Sequence, residues 1–520
     1  MVERKVEWLV LGIDLGSSSA KAVLVDDRGA IAARASVPQT VSRPVPGAAE
    51  QDADAWWSAL RALVAATLGT LPAVEQERLA GLSISGHFPT LLLTGERGEA
   101  LAPAMLYGDR RADAEVDRAA ALGGESLAGD EWLPKLLWLH GEAPDLLRRT
   151  RMVFNPHDHL AFRLTGERGL DHRSARRSGG LFDLSSLAWN ADVCAATELD
   201  PEALPPLRRA GEVLGHVTPE AAGTTGLPVG TPVVVGLGDT PAELIGAGVV
   251  HPGEVLLYYG TTTTVDVCSH DFQSYLRDPA PIVDWAPYHE VAYAVIGPAL
   301  PWVAGGVEPA GPDDRSAEIE RLDRVAATLD PSLDAPYVLP NFLAHARPGM
   351  PIRRPAIVGL DIGHARADLH RAVLESFGFI ARAGLEAAGI DAARARFVAT
   401  GGGARSAVWR QLVTDVLGVT QVWRPWADAA LGSATLAAWA TCGADLFAPG
   451  DWARDAGAAP TQPEPKRHRI EDARYRAWLR LRDAMAAAAD RSTDSVGNMG
   501  PGDRPVMSRT TADVSGYKPR

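Results

Sequence analysis

Apolar and polar positions in the first forty residues fall into short β-rich runs separated by turn residues. The runs are Trp8 to Ile13, Ala20 to Val25 and Ala30 to Arg34, and the turns are Gly16-Ser17-Ser18 and Asp26-Asp27-Arg28-Gly29. This order predicts three successive antiparallel strands. From Asp54 to Leu71 the residues Trp56, Trp57, Leu60, Leu63 and Val64 recur at helical spacing, and the apolar run Leu79 to Ser85 then reads as a strand. Strands mixed with helices give an α/β class. Further on, a strand over Pro232 to Gly236 turns through Leu237-Gly238-Asp239 into a small-residue helical segment, Ala242 to Gly248. Amphipathic helices are predicted over 366–390 and 407–418, and a helix from about Ile470 to Ala487 closes the fold. Beyond Ala487 the chain fills with Ser, Thr, Asp, Gly and Pro and is expected to be a disordered tail.

A second hairpin repeats the first. Glu254 to Tyr259, Gly260-Thr261-Thr262-Thr263-Thr264 and Val265 to Cys268 follow the same strand, turn, strand layout, and Gly260 lies 244 residues after Gly16. A period of that length suits two related domains. His251-Pro252-Gly253 supplies the break, which gives halves 7–249 and 254–487 and a tail 488–520.

Composition narrows the class of function. The 520 residues are 46% apolar and 22% charged, as in folded multidomain proteins, which excludes a lone small binding module. A net charge of −14 argues against a nucleic-acid surface but leaves room for a local phosphate site. Cys194, Cys268 and Cys442 show neither disulfide nor zinc spacing, so a reducing cytoplasm is expected. The apolar run at Trp8 is too short for a signal peptide, and no run approaches the ~18 apolar residues of a membrane span.

Several segments carry candidate chemistry. In Ile13-Asp14-Leu15-Gly16-Ser17-Ser18-Ser19-Ala20-Lys21 the backbone N–H groups of the turn can surround phosphate oxygens while Asp14 faces a hydrated Mg²⁺. The bland alternative is a hairpin turn capped by an Asp. Asp239 follows a strand end, where ligands of α/β sheets collect, and suits a general base; it would equally suit a helix N-cap ahead of Pro241. Gly401-Gly402-Gly403 joins a strand to a helix and admits close approach of a nucleotide, or is a plain connector. His87 is a sugar ligand or a strand-end post, and Trp56 and Trp57 read as packing residues.

Together these residues resemble the FGGY family of carbohydrate kinases over about Leu9 to Leu446. The resemblance is carried, in family order, by Gly12-Ile-Asp14-Leu-Gly16-Ser-Ser, Glu50-Gln51-Asp52 with Trp56-Trp57, Gly86-His87, Tyr107-Gly-Asp109-Arg110-Arg111, Gly238-Asp239-Thr-Pro-Ala242, Gly260-Thr261-Thr262 and Gly401-Gly-Gly-Ala-Arg405-Ser406. It implies two actin-like ATPase (ribonuclease H-like) domains around a cleft, with ATP and Mg²⁺ as cofactors and phosphoryl transfer to a small ketose, D-xylulose foremost. By the same resemblance Asp239 is the general base and Asp14 the carboxylate near Mg²⁺. Gly86, His87, Tyr107 and Asp109 contact the sugar, and Gly16, Ser17, Ser18, Lys21, Gly260, Thr261, Thr262, Gly401, Gly402, Gly403 and Ser406 contact the nucleotide. Oligomerisation is common in such enzymes, so the resemblance also allows a homodimer. The chain departs from the family at Ile84-Ser85-Gly86-His87-Phe88 and at Leu343 to Pro348, which leaves another ketose or a polyol as the alternative substrate. A nucleotide-switched protein on the same fold is the rival of another class.

Overall fold

All seven residues of Leu9–Leu15 (β1) are buried, because the strand runs through the middle of a sheet covered on both faces. The computed structural model describes residues 7–123, 129–183, 185–277, 287–305, 312–340, 355–444 and 459–497. β1 pairs antiparallel with Ser19–Asp26 (β2), and β2 pairs antiparallel with Ile31–Pro38 (β3). On its other edge β1 runs parallel to Leu79–Gly86 (β4); the sheet ends in Val213–His216 (β5) and Pro232–Val234 (β6), in the order β5-β6-β4-β1-β2-β3.

The second sheet repeats this plan with Glu254–Tyr259 (β7), Thr262–Cys268 (β8), Tyr288–Val295 (β9), Arg396–Thr400 (β10), Gln421–Trp423 (β11) and Ala459–Thr461 (β12), in the order β9-β8-β7-β10-β11-β12. Each sheet is an antiparallel meander of three strands, extended by two parallel strands and an antiparallel edge. The duplication expected from the two turns is therefore a duplication of whole sheets. Thr262 to Thr264, expected to lie in the second turn, belong to β8, where β-branched side chains are at home.

The helices that frame the sheets and the cleft include Ala53–Ala66 (α1), Trp132–Glu142 (α2), Pro156–Thr165 (α3), Asp239–Ala247 (α4), Arg366–Ala387 (α5), Ala407–Leu417 (α6), Ala429–Cys442 (α7) and Pro465–Gly497 (α8). α1 and α3 cover one face of the first sheet, and α5 and α6 cover one face of the second. The remaining faces meet in one shared apolar cluster. It holds Val10, Val23 and Val25 of the first sheet, Leu256 and Val398 of the second, and Leu244, Ile245, Ala430, Ala434 and Ala438 from α4 and α7. α7 lies on β1 and β4 although it comes late in the chain, so both halves of the chain share this cluster. α8 begins earlier and runs further than expected, through the helix-favouring Met485-Ala486-Ala487 run; the rest of the expected tail, 498–520, lies outside the described residues.

α8 is fastened by buried charge. Arg371 on α5 meets Glu375 at 2.5 Å and Glu471 at 3.0 Å, and Arg474 meets Glu375 at 2.8 Å. All four side chains are buried. Removing one cation from such a network strands the carboxylates. Arg474→Met is expected to lower unfolding stability by ~3–5 kcal/mol, read by urea denaturation.

Candidate active site

The end of β1, the start of β2 and the N-terminus of α4 open into a cavity of about 800 Å³ between the two sheets. Its walls include Asp14, Gly16, Ser17, Ser18 and Lys21 from the first turn, His87, Phe88 and Tyr107 from neighbouring loops, and Asp239 and Glu243 from α4. Thr261 of the second turn and Thr262 at the start of β8 face it, with Gly401, Gly402 and Arg405 after β10. Most of the sequence-predicted residues therefore converge from both halves of the chain.

Asp239 is the first residue of α4 and Gly238 its N-cap, so the capping alternative does not describe this Asp. Its Oδ1 accepts from the Thr240 N–H at 2.8 Å. Gly238 is required there because any side chain would strike the Phe88 ring. Burial pushes the Asp239 carboxyl up to about 7, and the nearby Asp14 carboxylate adds to the rise. Asp14 accepts from the Ser85 hydroxyl at 2.9 Å. Burial raises it to about 6, against the pull of Lys21 and Ser85.

His87 faces the cavity with both ring nitrogens engaged. The Gln51 amide donates to the Ser17 carbonyl at 2.8 Å, so its Oε1 is the acceptor that meets both Trp56 Nε1 and His87 Nε2 at 3.0 Å. Nε2 of His87 therefore carries the proton, and Nδ1 accepts from Thr90 at 2.8 Å. Burial lowers the His87 pKa to about 3, which keeps the ring neutral. Trp56 is buried, as the packing reading expected. Tyr107 extends over the turn, its hydroxyl 3.2 Å from Ser17 Oγ.

Other predicted residues stand behind the wall. Asp109 is fully buried, its oxygens taken by the Ala49 N–H and by the Arg111 amide and guanidinium, and it does not line the cavity. Gly86 bridges to Gly238 in the sheet, and Gly260 lies against the Tyr258 ring. Gly401 has φ +88°, and a Cβ there would come within 2.6 Å of the Tyr259 carbonyl, so only glycine lets this loop turn. Gly403 packs on Trp409, while Ser406 caps α6 through the Trp409 N–H and bonds Asp323 at 2.6 Å. The stretch Leu343 to Pro348 lies outside the described residues.

Three residues escaped the sequence reading. Lys135, a cation inside the apolar run of α2, donates to the carbonyls of Met105 and Pro89 at 3.1 and 3.3 Å and thereby ties the His87 loop to the strand before Tyr107. Burial lowers its pKa to about 7. His157 lies under Gly86 with Nε2 3.8 Å from Asp171. Burial opposes its charge, but Asp171, Asp158 and Asp239 outweigh that and raise its pKa. Glu243 sits one helical turn after Asp239 on the same face, a spacing visible in the sequence but not used.

Comparison with known proteins decides the family. The N-terminal domain model of the FGGY family of carbohydrate kinases matches residues 9–246, and the C-terminal domain model matches 259–441. The chain belongs to the FGGY family. It is thus an ATP-dependent carbohydrate kinase with the two-domain actin-like fold. It is 31% identical to the xylulose kinase of Escherichia coli K12, over 82% of this chain and 89% of that protein. It is 29% identical to the xylulose kinase of Klebsiella pneumoniae, over 92% and 98%. The crystal structure of xylulose kinase from Rhodospirillum rubrum superposes with a TM-score of 0.74 at 30% identity, covering 91% of this chain and 98% of that one. Among the described residues no helix is long and apolar enough to cross a membrane.

The electrostatics of Asp239 have a consequence for stability that needs no substrate. A carboxyl raised from 3.8 to about 7 holds a proton in the folded state that the unfolded chain has already released. Its contribution to stability is therefore lost as pH rises from about 4 through 7. Asp239→Asn is expected to raise Tm relative to the parent at pH 8 but much less at pH 5, measured by calorimetry.

Proposed function

We propose that this kinase phosphorylates D-xylulose, with Asp239 as general base and Asp14 as the carboxylate nearest Mg²⁺. The observation that supports it most is the convergence of Asp239, Asp14 and both hydroxyl-rich turns on one cavity. In the reaction the Asp239 carboxylate takes the proton of the terminal sugar hydroxyl as that oxygen bonds to the γ-phosphorus of ATP and ADP departs. Backbone and hydroxyl groups of the turns at 16–18 and 260–262 hold the phosphates, Lys21 adds positive charge, and the loop at 401–402 takes the rest of the nucleotide. The donor set fits Mg²⁺. Asp14 offers a hard oxygen, and among the described residues no group of three acidic, His or Cys side chains could hold an ion alone, as suits a hydrated cation shared with phosphates. Bound there, it would neutralise charge on the phosphates.

On this reading the sugar is framed by Phe88, Tyr107 and the His87 edge, with Gln51 and Lys135 fixing the His87 loop. Asp109 serves as a post that ties Arg111 to Glu50, where the ion pair measures 2.7 Å. The three free cysteines suit a cytoplasmic site of action. A relative 27% identical to this chain is the L-xylulose/3-keto-L-gulonate kinase of Escherichia coli K12, so the assay has to span more than one sugar.

The test is ADP formation from Mg-ATP with no sugar, D-xylulose, L-xylulose, other ketoses and polyols. D-xylulose is expected to stimulate most, and Asp239→Asn to lower kcat by ~10²–10⁴ while sugar binding survives. A larger stimulation by another sugar overturns the substrate, sugar-independent hydrolysis overturns the kinase reading in favour of a nucleotide switch, and a near-normal kcat in the Asn variant removes Asp239 from its role.

A further inference from the structure

Glu243 is the half-buried cavity carboxylate of α4 that the reaction above does not use. It accepts a hydrogen bond from the Thr400 hydroxyl at 2.8 Å, and Thr400 is the last residue of β10, immediately before Gly401. Glu243 and Asp239 are four residues apart, so their side chains share one helical face and both line the cavity. The far end of the same helix is also bound to the second half of the chain: Arg424 donates to the Ala247 carbonyl at 3.0 Å, and Arg396 donates to the Gly248 carbonyl. α4 is thus a short rigid bar with the base at one end, arginine-bonded carbonyls at the other, and a direct bond to the glycine loop between them.

We propose that Glu243 is a positioning residue for the nucleotide loop, holding Gly401 and Gly402 in place through the Thr400 hydroxyl so that the loop keeps a fixed distance from Asp239. The inference rests on the assignment of that loop to the nucleotide made above. Burial pushes the Glu243 carboxyl up to about 8, which agrees with a neutral acid in this bond at neutral pH. The bond needs an acceptor oxygen at this place and no charge. Glutamine supplies that oxygen with nearly the same shape, whereas alanine leaves the Thr400 hydroxyl buried without its partner.

The experiment is isothermal titration of the full-length protein with Mg-ADP, which requires no sugar and no turnover, alongside KM values for ATP and for the sugar. Glu243→Ala is expected to weaken Mg-ADP binding by ~10-fold, the effect of one lost buried hydrogen bond, with KM for the sugar within about twofold of the parent. Glu243→Gln is expected to restore Mg-ADP affinity to within about twofold. Thr400→Val should reproduce the alanine effect, and the double variant should add nothing to it. If alanine at 243 fails to fold, the Thr400 variant carries the test alone. Unchanged Mg-ADP affinity in Thr400→Val overturns the proposal. So does a glutamine variant as weak as the alanine one, or an equal loss in sugar KM. Failure of every sugar to stimulate ADP formation would sink the kinase reading but leave this titration intact.

Discussion

Two helices cross at glycine, and the rest of the molecule is arranged around that crossing. A methyl group on Gly432 of α7 would overlap the Ala242 carbonyl of α4, and one on Gly246 of α4 would overlap the Asp428 carbonyl. Backbone meets backbone, so the helix axes approach closely and the separation is set by atoms that cannot rotate aside. α7 in turn lies so near β1 that a side chain on Gly12 would overlap the Ala430 carbonyl. The strand carrying Asp14 and the helix carrying Asp239 are therefore both registered against α7. The pair of carboxylates is held by contact with a third element, not by a bond between them.

That arrangement explains why the site can hold three carboxyl groups close together. Asp14 is buried, Asp239 and Glu243 are half-buried, and desolvation raises all three, a cost that a loose loop would relieve by moving apart. Here each is on a regular element whose packing lies elsewhere, in the shared apolar cluster and in the arginine bonds at the end of α4. The same crowding holds the Asp239 carboxyl near 7, the range that suits the general base proposed above at neutral pH.

Much of this was legible in the residues. The succession of apolar runs and small-residue turns from Trp8 to Arg34 and from Glu254 to Cys268 predicts both hairpins, because strands inside a sheet covered on both faces read as near-continuous apolar runs. The position of α7 on the first sheet was not legible: it is a contact between residues more than three hundred positions apart, and its signature is only a run of Ala and Gly. His87 shows a different limit. Its type suggested a hydroxyl ligand, yet the amide of Gln51 and the hydroxyl of Thr90 occupy both nitrogens, and a hydrogen-bond partner from a distant loop leaves no periodic trace. Asp109 shows the opposite limit: its partner Arg111 stands only two residues away, yet nothing in the spacing says that the pair faces inward.

The central claim is that the α4–α7 crossing sets the register of the two carboxylates. The most direct measurement is kcat together with Tm for Gly432→Ala. The account predicts that both fall, with stability lower by ~1–3 kcal/mol from overpacking and kcat reduced because Asp239 moves relative to the phosphate turn. A variant with parental kcat and Tm would show that the helices part without consequence and would contradict the account.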